Sequence, residues 1–390
     1  MPRYVIHWYP TFNALPARCR GLLQAEIDRL GLYREPEWFE HLMRHYFDED
    51  VEMRLYCVED AESHSPLLLV PMRYSRVDPA ARKAHVISVI SHPENHSIAP
   101  FCFGPGLLTR PEILSVLSAF FAYLRRANQD AGHVRFDVIR IWPLERDSPL
   151  SSLIHQALKQ AGFIVQLYNN SYNRFEVTEG LTYEDYFKQR SANTRYHIRR
   201  CQRNLEKHGK VEFSLITRPD QLKEAVHAYI DVSDSSWKAP GTMYSLEGLQ
   251  LIGLCAQKGY LRMGILRLDD VPVAADFWIV TNGSALCTRL AYHEEYKKLA
   301  PGVVLTHFML QHILDEDHAR VIDFGFGPDE YKGRWMNESR NYYGYMGFNP
   351  MSARGFTYAI TNILGSKVKQ GIKHTLGKLG WQRFKPSAEA

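Results

Sequence analysis

The order of predicted elements gives an α+β fold. We expect two tandem domains, each a mixed, mainly antiparallel sheet flanked by helices, followed by a basic C-terminal helical tail. Three observations predict it. The chain runs twice through one rhythm of helices, antiparallel meander, further helix and further strand. The dipeptides Asp269-Asp270 and Asn282-Gly283 separate apolar runs in the way hairpin turns do. From Ser352 onward the chain carries a net charge of +6 within a whole-chain total of +4, which leaves −2 for the first 351 residues. The expected divisions are 1–175, 176–350 and 351–390, with the seam between the domains near 170–190.

In the first half, "EPEWFEHLMRHYF" places Trp38, Phe39, Leu42 and Tyr46 on one helical face. "VEMRLYCVED", "PLLLVPMRYS" and "HVISVISH" read as strands, the first two joined by polar residues. "RPEILSVLSAFFAYLRRANQD" starts a helix with Pro111 in its first turn. "VRFDVIRIW" is a strand, "SPLSSLIHQALKQAG" a helix closed by Gly162, and "FIVQLYN" a strand. In the second half, "RPDQLKEAVHAYIDVSDSSW" and "SLEGLQLIGLCAQKG" are helices. "YLRMGILRL", "VPVAADFWIV" and "SALCTRLAY" form the meander. A helix over 301–316 follows, then the strand "ARVIDFG" and a last strand near "YYGYMGF".

Composition narrows the function. With 45% hydrophobic and 23% charged residues the chain is an ordinary folded protein, and its net charge is too small to mark a nucleic-acid binder. The six cysteines stand singly without a CxxC pair, which predicts buried thiols in a reducing compartment and no metal. The N-terminus has no signal-peptide pattern and no apolar run reaches membrane-spanning length, so the reading is a cytoplasmic protein.

The most informative stretch is "YHEEYKKLAPGVVL", residues 292–305. A helix N-terminus offers unpaired N–H groups and a partial positive charge to an anion. Pro301 is pre-set for the first turn, Gly302 lets a ligand approach the backbone, and Lys297 and Lys298 add charge. The alternative is a core helix that starts at Pro-Gly with solvated lysines.

The stretch resembles the pyrophosphate loop of the GNAT acyltransferase superfamily, [Gln/Arg]-x-x-Gly-x-[Gly/Ala]. Lys297 and Ala300 replace the first two motif residues, and Gly302 is kept. The order "VPVAADFWI", "AYHEEYKKLAPGVVL", "IDFGFGPDEYKGRW" is similar to the CelD-like, cellulose-biosynthesis-associated acetyltransferases, relatives of the FemAB aminoacyltransferases. "RSANTRYHIRRCQRNLEKHGKVEF" and "SSWK" fit the same pattern. The resemblance covers about 185–350; the first half matches in rhythm alone and is expected to be non-catalytic.

What the resemblance implies is an acyltransferase with acyl-CoA as donor, acetyl-CoA or longer, and no metal. Donor contacts are expected at Leu290, Ala291 and Tyr292 on the strand that supplies the oxyanion N–H, and at Lys297, Lys298, Ala300, Gly302 and Val303. Acyl transfer needs a proton acceptor, an oxyanion donor and a proton for the leaving thiolate. Asp323 is the candidate base, or a turn cap before Gly325. Tyr331 is the candidate acid, with Lys332 beside it. Substrate contacts are expected at Arg195 and Arg199 on a basic helical stripe, at Trp237 and Lys238, at Asp276 in its apolar strand, where it lines the cleft or pairs with Arg289, and at Trp335. The expected acceptor is an amine or hydroxyl of a saccharide or cell-envelope precursor, with an acyl carrier protein as an alternative source of the acyl group and no nucleic acid as partner. Two other readings stay open, a FemAB-like aminoacyltransferase and a non-catalytic GNAT-like scaffold in a polysaccharide synthesis complex. In the tail, apolar residues alternate with lysines, which suits contact of 355–385 with the inner face of a membrane.

Overall fold

The computed structural model of the protein describes residues 3–47, 51–75, 84–92, 100–105, 107, 109–127, 136–236, 246–327 and 330–363. The first half contains β1 (Tyr4–Tyr9), α1 (Ala17–Leu30), α2 (Pro36–His45), β2 (Glu52–Asp60), β3 (Pro66–Ser75), β4 (Val86–Val89), β5 (Cys102–Phe103), α3 (Arg110–Ala127), β6 (Val138–Glu145), α4 (Pro149–Gln160) and β7 (Ile164–Val177). The second contains α5 (Tyr183–Lys188), α6 (Ala192–Glu206), β8 (Val211–Ile216), α7 (Leu222–Asp234), α8 (Leu246–Gln257), β9 (Leu261–Leu268), β10 (Val271–Thr281), β11 (Ser284–Tyr292), α9 (Pro301–Asp315), β12 (Val321–Phe326), α10 (Lys332–Trp335) and β13 (Glu338–Phe348).

Local chemistry places most of these. Ser148, Thr182 and Ser191 cap α4, α5 and α6 by accepting the amides of Ser151, Asp185 and Thr194. Asp269, Asp270, Asn282 and Gly283 all have positive φ, as two-residue hairpin turns require. β1, α1, β5, α5, β8 and α10 are additions to the elements expected from the sequence. β7 runs to Val177, well past the predicted strand, so the expected domain boundary at 175 falls inside it.

Among the described residues the strands form one mixed sheet, in the order β1-β2-β3-β4-β6-β13-β7-β12-β11-β10-β9-β8, with β5 on β3. The order has an internal symmetry. In the first half α3 crosses over so that β6 lies parallel to β4; in the second α9 crosses over so that β12 lies parallel to β11. The final strand of each half then pairs with the other half: β7 beside β12 and β13 beside β6, with β7 and β13 antiparallel at the centre. The fold is thus two tandem mixed-sheet units that exchange their last strands.

Packing follows the same plan. α3 and α4 cover one face of the first unit, and α5, α6 and α9 cover one face of the second. A further core joins α1 and α2 to α7 and α8, with Trp38, Phe39, Tyr229 and Phe277 buried together, so both units share it. Burial of this much apolar surface is the main stabilising term. A helical segment at 353–363 packs Ala359 against Phe348 and Val138. The rest of the predicted tail, 364–390, lies outside the described residues.

Candidate active site

β11 and β12 form the site by separating. Their parallel ladder has three pairs, Ser284 with Val321, Ala285 with Ile322 and Leu286 with Asp323, and ends there although both strands continue. Two backbone features drive them apart. A bulge opposite Phe277/Trp278 leaves Thr288 as an extra residue, pinned by its hydroxyl to the Phe277 carbonyl at 2.6 Å. On β12, Gly325 adopts φ +67°, where the register with β7 also shifts.

A cavity of about 370 Å³ opens where α9 starts beside the diverging β11. Leu290 and Tyr292 form one wall, and Ala300, Gly302, Val303 and Thr306 form the floor. His197 and Ile198 of α6, with Tyr331, Arg334 and Trp335, close the other side. Ala300 is left-handed (φ 52°, ψ 51°), the conformation that favours glycine at this motif position, and it introduces Pro301 as the first helical residue. A Cβ on Gly302 would lie 3.4 Å from the Tyr292 ring and 3.6 Å from Leu290, so any longer side chain there intrudes on the cavity wall. Lys297 lines the rim and pairs with Glu294 at 2.9 Å.

The titratable groups divide by role. Burial, then the Glu294 charge, raises the Tyr292 hydroxyl, so it keeps its proton at neutral pH. Burial, with Arg334 and Arg200 nearby, lowers His197, so its imidazole stays neutral and able to accept a proton. The sequence reading missed His197 because it sits within an arginine-rich helix. Trp335 is fixed from behind: its carbonyl accepts from Tyr186 Oη at 2.6 Å and from Arg190, which forms a buried ion pair with Glu176 of β7.

Of the predicted residues, Leu290, Tyr292, Lys297, Ala300, Gly302, Val303, Tyr331 and Trp335 therefore line one cavity. Lys298 is exposed on the adjoining turn. Ala291 points to the opposite face of β11, into the core beneath α7. Lys332 is buried and donates to the Phe326 carbonyl at 2.6 Å, which fixes the turn before α10. Arg195 donates to the carbonyls of Lys188 and Arg190 at the end of α5, and Arg199 lies over the Phe187 ring at 5.3 Å, so both are turned onto α5. Asp276 is fully buried under α9. Its Oδ2 accepts from Trp278 Nε1 at 2.8 Å, while Oδ1 faces the Gly264 backbone without a hydrogen bond of good geometry. It does not pair with Arg289, because the strand register sets Arg289 opposite Phe277 on the other face. Trp237 and Lys238 lie outside the described residues.

Asp323 faces away from this cavity. Ile322 and Phe324 point into the α6/α9 core, whereas Asp323 lines a second cavity of about 490 Å³ on the other face of the sheet. Its Oδ1 accepts from Asn173 Nδ2 and the Gly325 amide, both at 2.7 Å, and its Oδ2 from Arg340 at 2.6 Å. It thus does cap the Gly325 turn, and an ion pair holds it. This second cavity draws on both units: Tyr33 and Glu145 from the first, Leu286, Asp323 and Arg340 from the second.

The diverging parallel strands, the crossover helix between them and the cavity at its start are the layout of one acyltransferase superfamily, and residues 192–333 match the family described as Acetyltransferase (GNAT) domain. This segment is similar to a GNAT-fold acyltransferase domain. Its match covers the cavity's α6, β11, α9 and Tyr331. No curated protein matches the chain. Among solved structures, the chain is similar to a conserved protein of unknown function from Bacteroides thetaiotaomicron, at 12% identity and a TM-score of 0.52, covering 88% of this chain and all of that one. It is also similar to a tandem GNAT protein from the clavulanic acid biosynthesis pathway, at 10% identity and 0.49 over 88% of this chain and 99% of that. FemX is similar at 11% identity and 0.48 over 74% and 88%.

Proposed function

We propose that the protein transfers an acyl group from a coenzyme A thioester to an amine or hydroxyl of a saccharide or cell-envelope precursor. The observation that carries this reading is the end of the β11–β12 ladder at Leu286/Asp323 beside the glycine-floored start of α9. The residues there fit an anionic, extended donor. The α9 N-terminus and Arg334 suit phosphate, and Leu290, Ile198 and Trp335 suit an apolar arm. The diverging edge of β11 offers backbone donors for the oxyanion. Tyr331 or Tyr292 supplies the proton to the leaving thiolate, since both carry hydroxyls at the cavity, and His197 is placed to accept one.

The acceptor enters through the second cavity, which reaches the last ladder pair from the opposite face of the sheet. Among a largely apolar lining, the polar side chains of Glu145, Ser148 and Glu179 suit the hydroxyls of a saccharide, with Asp323, held by Arg340, orienting the nucleophile. Residues 355–385 contact a membrane surface in this reading. Met351, Phe356 and Ile360 are exposed, although no described helix is long and apolar enough to cross a membrane.

Thermal unfolding with and without coenzyme A and acyl-CoAs tests the donor. A ligand at a hundred times its Kd adds about 2.7 kcal/mol of stability. No shift with any of them at millimolar concentration refutes the donor assignment. Mass spectrometry of saccharide acceptors incubated with the preferred acyl-CoA tests the acceptor class, with unmodified saccharides as the refuting result.

A further inference from the structure

We propose that Cys19 and Cys57 are a dithiol site that a hydroperoxide oxidises to an intramolecular disulfide, joining α1 to β2. No pattern in the sequence marks it, because the two residues are 38 positions apart and neither belongs to a motif. In the fold they meet. Cys19 Sγ and Cys57 Sγ are 3.0 Å apart, and both residues are fully buried. That is closer than the roughly 3.5–4.0 Å at which even carbon atoms rest against one another. A disulfide needs about 2.05 Å, so closure asks for about 1 Å of approach.

The surroundings decide between a disulfide and a cation site. Glu59 Oε1 lies 3.6 Å from Cys19 Sγ and 3.9 Å from Cys57 Sγ, so the three side chains have the composition of a metal site. Two thiolates at about 2.3 Å from a tetrahedral zinc would stand roughly 3.8 Å apart, wider than the pair observed. Both carboxylate oxygens of Glu59 are already taken by Arg18, each at 2.9 Å. The guanidinium supplies the positive charge that a cation would bring. The pair is therefore arranged for sulfur–sulfur chemistry.

The Arg18 side chain is 46% exposed and forms the outer cover of the site, so a small oxidant has a short way in. The hydrogen bond shared with Cys19 and burial both raise the Cys57 thiol, which keeps it protonated and makes the reaction slow. In the first step one sulfur loses its proton and attacks a peroxide oxygen; an S–O bond forms, the O–O bond breaks and one water (an alcohol from an alkyl peroxide) leaves. In the second the other sulfur loses its proton and attacks the sulfenic sulfur; the S–S bond forms, the S–O bond breaks and water leaves. Two electrons pass from the two sulfurs to the peroxide. The cross-link would stiffen α1, whose end is docked on the β10–β11 turn through Asn282 Nδ2 to the Asp28 carbonyl at 2.6 Å and leads to Tyr33 in the second cavity.

The test treats the reduced full-length protein with hydrogen peroxide, alkylates the remaining thiols under denaturing conditions and maps the peptides. The expected result is a mass loss of two hydrogens, a cross-linked peptide joining Cys19 to Cys57, reversal by dithiothreitol and a higher melting temperature for the oxidised form. Cys102→Ser should retain the mass loss, and Cys19→Ser and Cys57→Ser should each abolish it. If either variant fails to fold, the peptide map of the unaltered protein decides alone. Six alkylatable thiols after treatment, a cross-link between other cysteines, or a tightly held equivalent of zinc that blocks oxidation of the pair would each overturn the proposal.

Discussion

Asp276→Asn tests the buried carboxylate beneath α9. Asp276 is fully buried, and its single good hydrogen bond, from Trp278, does not offset desolvation, so its carboxyl is pushed up to about 7. In the unfolded chain an aspartate titrates near 3.9. Between those values the folded state holds the proton and the unfolded state does not. The group therefore weighs nothing below pH 4 and costs stability progressively as pH rises towards and past 7. At about 1.4 kcal/mol per pH unit the full cost is about 4 kcal/mol, and about 2–3 kcal/mol of it develops between pH 5 and 8. Asparagine keeps an acceptor for Trp278 Nε1 and cannot ionise. Urea unfolding of both proteins from pH 5 to 8 should show the variant gaining on the parent by about 2–3 kcal/mol across that window. The difference between the two proteins cancels every other titrating group. A difference that stays constant with pH would refute the reasoning.

Gly302→Val should lower coenzyme A affinity at least tenfold, about 1.4 kcal/mol, while the melting temperature changes little, because the added methyls enter the cavity rather than the core; calorimetric titration checks this. Tyr331→Phe should reduce kcat with an unchanged melting temperature, and Tyr292→Phe should do so less if Tyr331 is the acid, or more if Tyr292 is; normal turnover in both removes the tyrosines from the mechanism. Ala300→Gly relieves a left-handed alanine and should stabilise by about 0.5–1 kcal/mol after the entropy of the added glycine is deducted, read by denaturant unfolding. Arg190→Met leaves Glu176 buried without its cation and should cost about 3–5 kcal/mol.

What the sequence made legible was local. The turns at 269–270 and 282–283, the helix periods and the Pro-Gly start of α9 each depend on neighbouring residues, and they suffice for the rhythm of the two units and for one wall of the cavity. Partnership across the fold was not legible. Nothing in "ANTRYHIRR" says that Arg195 turns back to the end of α5 or that His197 is the member of that helix facing the cavity. Alternation marks Asp276 as inward-facing, but the bulge at Phe277/Trp278 decides that it meets Trp278 and not Arg289. Asp323 was legible as the end of its strand and as a cap for the turn at Gly325; the face it points to depends on a register that "VIDFGF" does not reveal.

The exchanged strands have a consequence for synthesis on the ribosome. β6, already beside β4, acquires its second neighbour only from β13, at the far end of the chain, and β7 spends the interval waiting for β12 and β13. The first unit therefore cannot finish folding as it emerges; its open strand edge is the kind of surface that recruits wrong partners until translation is nearly complete. A ribosome that stalls before β13 releases a chain with two incomplete sheets rather than one sound domain and one missing, so quality control on this protein is all or nothing.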